Sequence, residues 1–160
     1  MDFTPLLSAP MSIQIHALAA FSALALTPVM LMRRKGDRLH KSLGRVWVAA
    51  MAFTALSSFA IHEIRLVGPF SPIHILSVFT LYTLIAAITS ARAGRIKAHK
   101  QNMLGAMAGL IGAGLFTLLP GRVMSQVVFK GFEVPGFAGA MLLGGAALIM
   151  WRRTLSREKA

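Results

Sequence analysis

The sequence predicts an all-α integral membrane bundle of five transmembrane helices. Three observations predict it: five apolar runs of bilayer-spanning length, basic residues gathered in the gaps between them, and a charged fraction of only 14% beside 56% hydrophobic residues. A soluble domain carries about 25% charged residues. Long apolar stretches with charges clustered between them are what a bilayer selects.

The runs are Ile13–Met32, Gly44–Ile64, Pro72–Ala91, Met103–Pro120 and Val134–Trp151. Each approaches the ~20 residues that cross a ~30 Å hydrocarbon core. The first follows an N-terminal segment with no basic residues, so it reads as a retained span rather than a cleaved signal. Pro28 lies inside it and deprives one carbonyl of its helical donor, which neighbouring groups must replace. The third run opens at Pro72, where a missing N–H costs nothing. Pro120-Gly121 ends the fourth and Pro135-Gly136 opens the fifth, whose glycines membrane helices tolerate. The whole chain, residues 1–160, reads as a single transmembrane domain.

Orientation follows from the basic residues. Arg33, Arg34, Lys35, Arg38, Lys41 and Arg45 fill the first connection, Arg92, Arg95, Lys97 and Lys100 the third, and Arg152, Arg153, Arg157 and Lys159 the tail. Only Arg65, Arg122 and Lys130 fall on the other side. Positive charge stays cytoplasmic, so the expected topology is N-terminus outside and C-terminus inside, in a bacterial inner membrane. The net charge of +12 then points to anionic lipid at the basic loops rather than to nucleic acid. The absence of cysteine excludes disulfides, thiolate metal sites and iron–sulfur clusters.

The first four spans read as a duplicated hairpin. Ile15-His16 aligns with Ile73-His74, Arg34 with Arg92 and Gly36 with Gly94, all at an offset of 58; His40-Lys41 then meets His99-Lys100 at 59. Two spans separate equivalent positions, so the copies are parallel, a two-plus-two arrangement about an axis along the membrane normal.

The repeat places His16 and His74 near the outer face and His40 and His99 near the cytoplasmic face. In an up-and-down four-helix bundle each pair sits on diagonal helices, so each pair is a candidate for axial ligation of haem iron, one haem b near each face. Ionisable residues at spans are rare and usually functional, although a histidine at a helix end is also a common interfacial residue. His62 has no counterpart in the repeat and reads as a wet outer-loop residue. The methionines read as apolar filler, and Gly105 with Gly109 as a helix-packing face. No phosphate loop, zinc motif or nucleophile–base set appears.

The stretch His40-Lys41-Ser42-Leu43-Gly44-Arg45, after Lys35-Gly36 and before Ile73-His74, resembles a bacterial predicted membrane protein family catalogued as domain of unknown function 2306. That likeness spans residues 13–124 and implies topology, not chemistry. By layout alone, the four histidines are also similar to those of cytochrome b561-type carriers, in which two haems are each held by two histidines. This second resemblance implies His16 and His74 for an outer haem and His40 and His99 for an inner one.

The resulting expectation is a haem-b transmembrane electron carrier; if it is enzymatic, it is a membrane haem oxidoreductase. Its alternatives are a non-redox accessory or assembly subunit of a larger membrane complex, and a small transporter.

Overall fold

The computed structural model describes residues 2–61 and 72–141. Six helices are delimited: α1 (Thr4–Leu7), α2 (Met11–Met32), α3 (Arg38–Ser58), α4 (Pro72–Arg92), α5 (Ile96–Thr117) and α6 (Val123–Phe129). A seventh helical stretch covers 133–141, the start of the fifth apolar run. No strand occurs among the described residues. Two of the helices, over Met11–Met32 and Ile73–Arg92, are long and apolar enough to cross a membrane.

The described residues form two compact units, one within 9–114 and one of 2–8 with 115–141. The larger unit holds α2 to α4 and most of α5. Its core joins Ala23 and Met30 of α2, Trp47 and Met51 of α3, Leu84 and Ala87 of α4, and Met103, Ala106, Met107 and Leu110 of α5. Trp47 is fully buried. Its indole N–H donates to the Ala23 carbonyl and to Thr27 Oγ1, both at 3.0 Å. The accepting Ala23 carbonyl is one residue from that of Leu24, which Pro28 leaves without a helical N–H. A tertiary bond thus supports the turn that proline weakens.

α3 begins six residues before its apolar run and α5 seven before its own. Both extensions are polar, so hydropathy alone did not find them. Asp37 starts α3 by accepting the His40 N–H at 2.6 Å, a side-chain N-cap. Downstream of Ser58 the second run, expected to reach Ile64, passes out of the described residues, and His62 with it.

The two tight connections are closed differently. α4 ends in a Schellman arrangement: Gly94 N–H bonds to the Ala91 carbonyl at 3.1 Å and Arg95 N–H to that of Ser90 at 2.9 Å, with Gly94 at φ +73°. At the end of α2 the free carbonyls of Met30 and Leu31, with that of Arg33, instead receive the Lys35 ammonium at 2.8, 2.5 and 2.9 Å. Gly36 follows at φ +88°.

α4 is turned inside out relative to a helix of a soluble protein. His74, Ser77, Thr80, Thr83 and Ser90 are buried, while Ile75, Val78, Phe79, Tyr82 and Ile85 are exposed. Apolar exposure with hydroxyls inside suits a helix whose solvent is lipid.

In the smaller unit α1 packs on α6, the Asp2 N–H bonds to the Val127 carbonyl at 2.9 Å, and Lys130 faces Asp2 at 3.7 Å. Neither short helix is visible as a hydrophobic run.

Candidate functional site

Two histidine-bearing ends of the larger unit hold the site residues expected from sequence. At the first end, His16 on α2 and His74 on α4 both meet the last turn of α3. His16 Nδ1 lies 3.0 Å from Ser57 Oγ. The Ser57 hydroxyl spends its own proton on the Thr54 carbonyl at 3.1 Å, so it accepts from His16. Nδ1 of His16 therefore carries the proton and Nε2 carries the lone pair. His74 is 6% exposed, and its ring stacks on Phe59 at 5.3 Å between centroids and 24° between planes. Ser58 and Ser77, both buried, share a hydroxyl–hydroxyl bond at 2.6 Å beside it. The α3–α4 contact at this end is thus a tight polar seam.

At the other end, His40 begins α3 and His99 begins α5. His99 Nδ1 lies 3.0 Å from the Ala87 carbonyl of α4. A carbonyl only accepts, so His99 also carries its proton on Nδ1 and the lone pair on Nε2. His40 Nδ1 is enclosed and has no hydrogen-bond partner among the described residues. Burial, followed by the neighbouring His99 and Lys35, holds the His40 pKa below the usual imidazole value; Asp37 opposes this. His40 and His99 are therefore electrostatic neighbours. The Asp37 carboxylate is held below the usual range by the His40 backbone N–H and by Arg33, to which it is ion-paired at 2.7 Å.

Each sequence-chosen pair therefore lies at one end of the larger unit, and His16 and His74 each engage the C-terminal end of α3. Four hydroxyl residues escaped sequence reasoning: Ser57, Ser58, Ser77 and Thr27. For Ser77 a signal existed, since Ser77, Thr80 and Thr83 repeat at helical spacing from His74. No group of three or more His, Cys, Asp or Glu side chains converges as a metal site among the described residues.

The sequence profile of the predicted membrane protein family DUF2306 matches residues 13–150, most of the chain. The chain belongs to this family. The match runs beyond the first four spans and takes in most of the fifth apolar run of this DUF2306 protein. No curated protein matches the chain, and no solved structure does. The likeness to cytochrome b561-type carriers thus rests on the histidine layout alone.

Proposed function

We propose that this DUF2306 protein is a five-span carrier of the bacterial inner membrane, N-terminus outside, whose histidine pairs hold haem b and pass electrons across the bilayer. The observation that carries the reading is the fixed tautomer of His16 and His99. Each donates Nδ1–H to an oxygen of a neighbouring helix, and each keeps Nε2 for a ligand. Such an anchor on the far ring nitrogen is the usual support of a metal-bound histidine. The enclosed, partnerless Nδ1 of His40 adds a second nitrogen at the His99 end. Bound haem would supply one-electron chemistry; the chain's own part is to present imidazoles, orient them through Ser57 and Ala87, and exclude water with the core between Trp47 and Leu110.

A duplicated hairpin accounts for one station at each end. Gly36 and Gly94, aligned at an offset of 58, both adopt positive φ. Trp47 and Ala106, and likewise Met51 and Leu110, are buried at an offset of 59.

One observation favours the non-redox alternatives, an accessory subunit or small transporter. The mid-depth core is filled by Trp47, Met51 and Met107, and α4 turns hydroxyls inward along its length. Absorbance of protein purified with haem supply separates the readings. A reducible Soret and α band, diminished to the same extent in His16→Ala and in His74→Ala by loss of one of two haems, supports the carrier. Protein free of haem under those conditions leaves the accessory or transport reading in first place.

A further inference from the structure

Between the end of α2 and the first turns of α3 the chain carries Arg33, Arg34, Lys35, Arg38, Lys41 and Arg45 beside a single carboxylate, Asp37. Both oxygens of that carboxylate are taken. Oδ1 accepts the His40 backbone N–H at 2.6 Å, and Oδ2 accepts from Arg33 Nη2 at 2.7 Å. The Lys35 ammonium is spent on the carbonyls of Met30, Leu31 and Arg33. Arg33 is left with an enclosed Nε–H that has no acceptor among the described residues. An enclosed donor on a permanent charge is seldom left unanswered in folded proteins, and its acceptor is then ordinarily a water or an ion.

The electrostatics of the place favour an anion over water. The last carbonyls of a helix form its negative end and repel anions. Here Lys35 covers them. The first turn of α3, the positive end of that helix, begins five residues after Arg33. Arg34, Arg38, Lys41 and Arg45 are exposed and make no ion pair among the described residues. The second connection has the same basic composition: Arg92, Arg95, Lys97 and Lys100 are likewise exposed and outside any described ion pair. No enclosed donor without an acceptor stands among those four. Charge is therefore shared by both connections, and a fixed donor belongs to the first alone.

We propose that the α2–α3 connection binds one phosphate group, that of an acidic phospholipid, with Arg33 as its central donor. α2 is long and apolar enough to cross a membrane, which brings its end to the headgroup level, where phosphate is dense. Basic clusters beside a span are a footprint of acidic lipid. The Arg33 side chain keeps 19% of its exposure, so a turn of its stem shows the Nε edge of the guanidinium to the surface. Asp37 holds one Nη2 proton, and Nε–H with the remaining Nη protons is free for phosphate oxygens. No histidine takes part, so the inference stands with or without haem.

Native mass spectrometry of the full chain in detergent, titrated with phosphatidylglycerol or with phosphatidylcholine, reads bound lipid directly. One phosphatidylglycerol per chain is held more tightly than any phosphatidylcholine. Arg33→Lys keeps the charge but loses Nε–H, and weakens that lipid about tenfold, the worth of one hydrogen bond to a charged group. Arg95→Lys makes the same exchange in the second connection and shifts the affinity by less than about twofold, since the charge is kept. Asp37→Asn retains a helix cap and removes the competing carboxylate, so binding tightens about fivefold, the effect of one unit charge at the surface. Undiminished binding in Arg33→Lys overturns the site, because charge alone would then recruit the lipid; so does binding that weakens in Asp37→Asn. An equal loss in Arg95→Lys overturns its restriction to the first connection. Phosphatidylcholine held as tightly overturns the acidic lipid, and displacement by inorganic phosphate alone overturns the headgroup as the source of the phosphate.

Discussion

The two ends of the larger unit present the same residue type twice each in different surroundings. At the His16 end the neighbours are hydroxyls and an aromatic ring: Ser57, Ser58, Ser77 and Phe59. At the His40 end they are ions: Arg33, Lys35 and Asp37, with His99. At the first end directional bonds orient His16. At the other, burial first and then the neighbouring His99 and Lys35 hold the His40 pKa below the usual imidazole value. The two ends therefore respond to different perturbations. Between the ends lies Trp47, which ties α2 to α3 and belongs to neither.

The largest expected effect is at that middle. Trp47→Ala removes a fully buried ring and leaves the Ala23 carbonyl without its indole donor. Large-to-small changes of this kind cost about 3–5 kcal/mol. Thermal unfolding in detergent should report that loss. Trp47→Phe keeps most of the volume, so its smaller cost isolates the hydrogen bonds. If Trp47→Phe proved as damaging as Trp47→Ala, packing would not be what holds the two ends together.

Next comes the His16 end. Ser57→Ala releases His16 Nδ1 from its acceptor and leaves the imidazole itself in place. Loss of such an outer anchor typically weakens metal binding about 10–100-fold. Haem retention on dilution is the measurement. The same substitution should leave thermal stability of the haem-free protein within about 1 kcal/mol, since one partly buried hydrogen bond is at stake. Full haem retention in Ser57→Ala would show that the anchor does not orient a ligand.

The His40 end should respond to charge and pH instead. Lys35→Met deprives the carbonyls of Met30, Leu31 and Arg33 of their ammonium donor, and faster hydrogen exchange near Met30–Met32 is the expected readout. Acid has a signed effect here. The His40 pKa is lowered in the folded protein, so above the ordinary value of about 6.5 both folded and unfolded chains hold it neutral and it contributes nothing. Below that value the unfolded chain takes a proton that the folded one resists, and stability falls with pH. His40→Gln should flatten this loss in the haem-free protein between about pH 6.5 and 5. A melting temperature equally pH-sensitive in His40→Gln would assign the effect elsewhere.

How much of this was legible from sequence depends on what hydropathy can register. Charges cannot hide in a bilayer, so the basic connections between the apolar helices were readable from position alone. The polar first turns of α3 and α5 were not, because hydropathy stops where the lipid does while the helix continues to Asp37 and Arg95. The inward hydroxyls of α4 were averaged away by the isoleucines and leucines around them. Pairings such as Trp47 with Thr27, or His99 with the Ala87 carbonyl, depend on tertiary register, which no local pattern carries. Lys35 reads as a topology charge by composition, and only its three carbonyl contacts reveal a cap.

The smallest expected effect tests whether the two ends descend from one hairpin. Gly36 and Gly94 occupy equivalent places in the connections, at φ +88° and +73°, and a Cβ built on either meets nothing within 4 Å. Alanine at either position therefore incurs backbone strain alone, about 1–2 kcal/mol for an L residue in the left-handed region. If the connections were equivalent in every respect, the two alanine variants would lose the same stability. They differ in one way: Gly94 lies within the paired bonds from Gly94 and Arg95 to Ala91 and Ser90, whereas the end of α2 is held by the Lys35 side chain. A flexible ammonium adjusts to a shifted backbone, and two short main-chain bonds do not. Gly94→Ala should therefore cost more than Gly36→Ala by several tenths of a kcal/mol, about the size of a weakened hydrogen bond. In the Lys35→Met background, where the adjustable cap is gone, Gly36→Ala should rise towards the Gly94→Ala value. A Gly36→Ala cost indifferent to Lys35 would mean that the two connections share their glycines but not their mechanics.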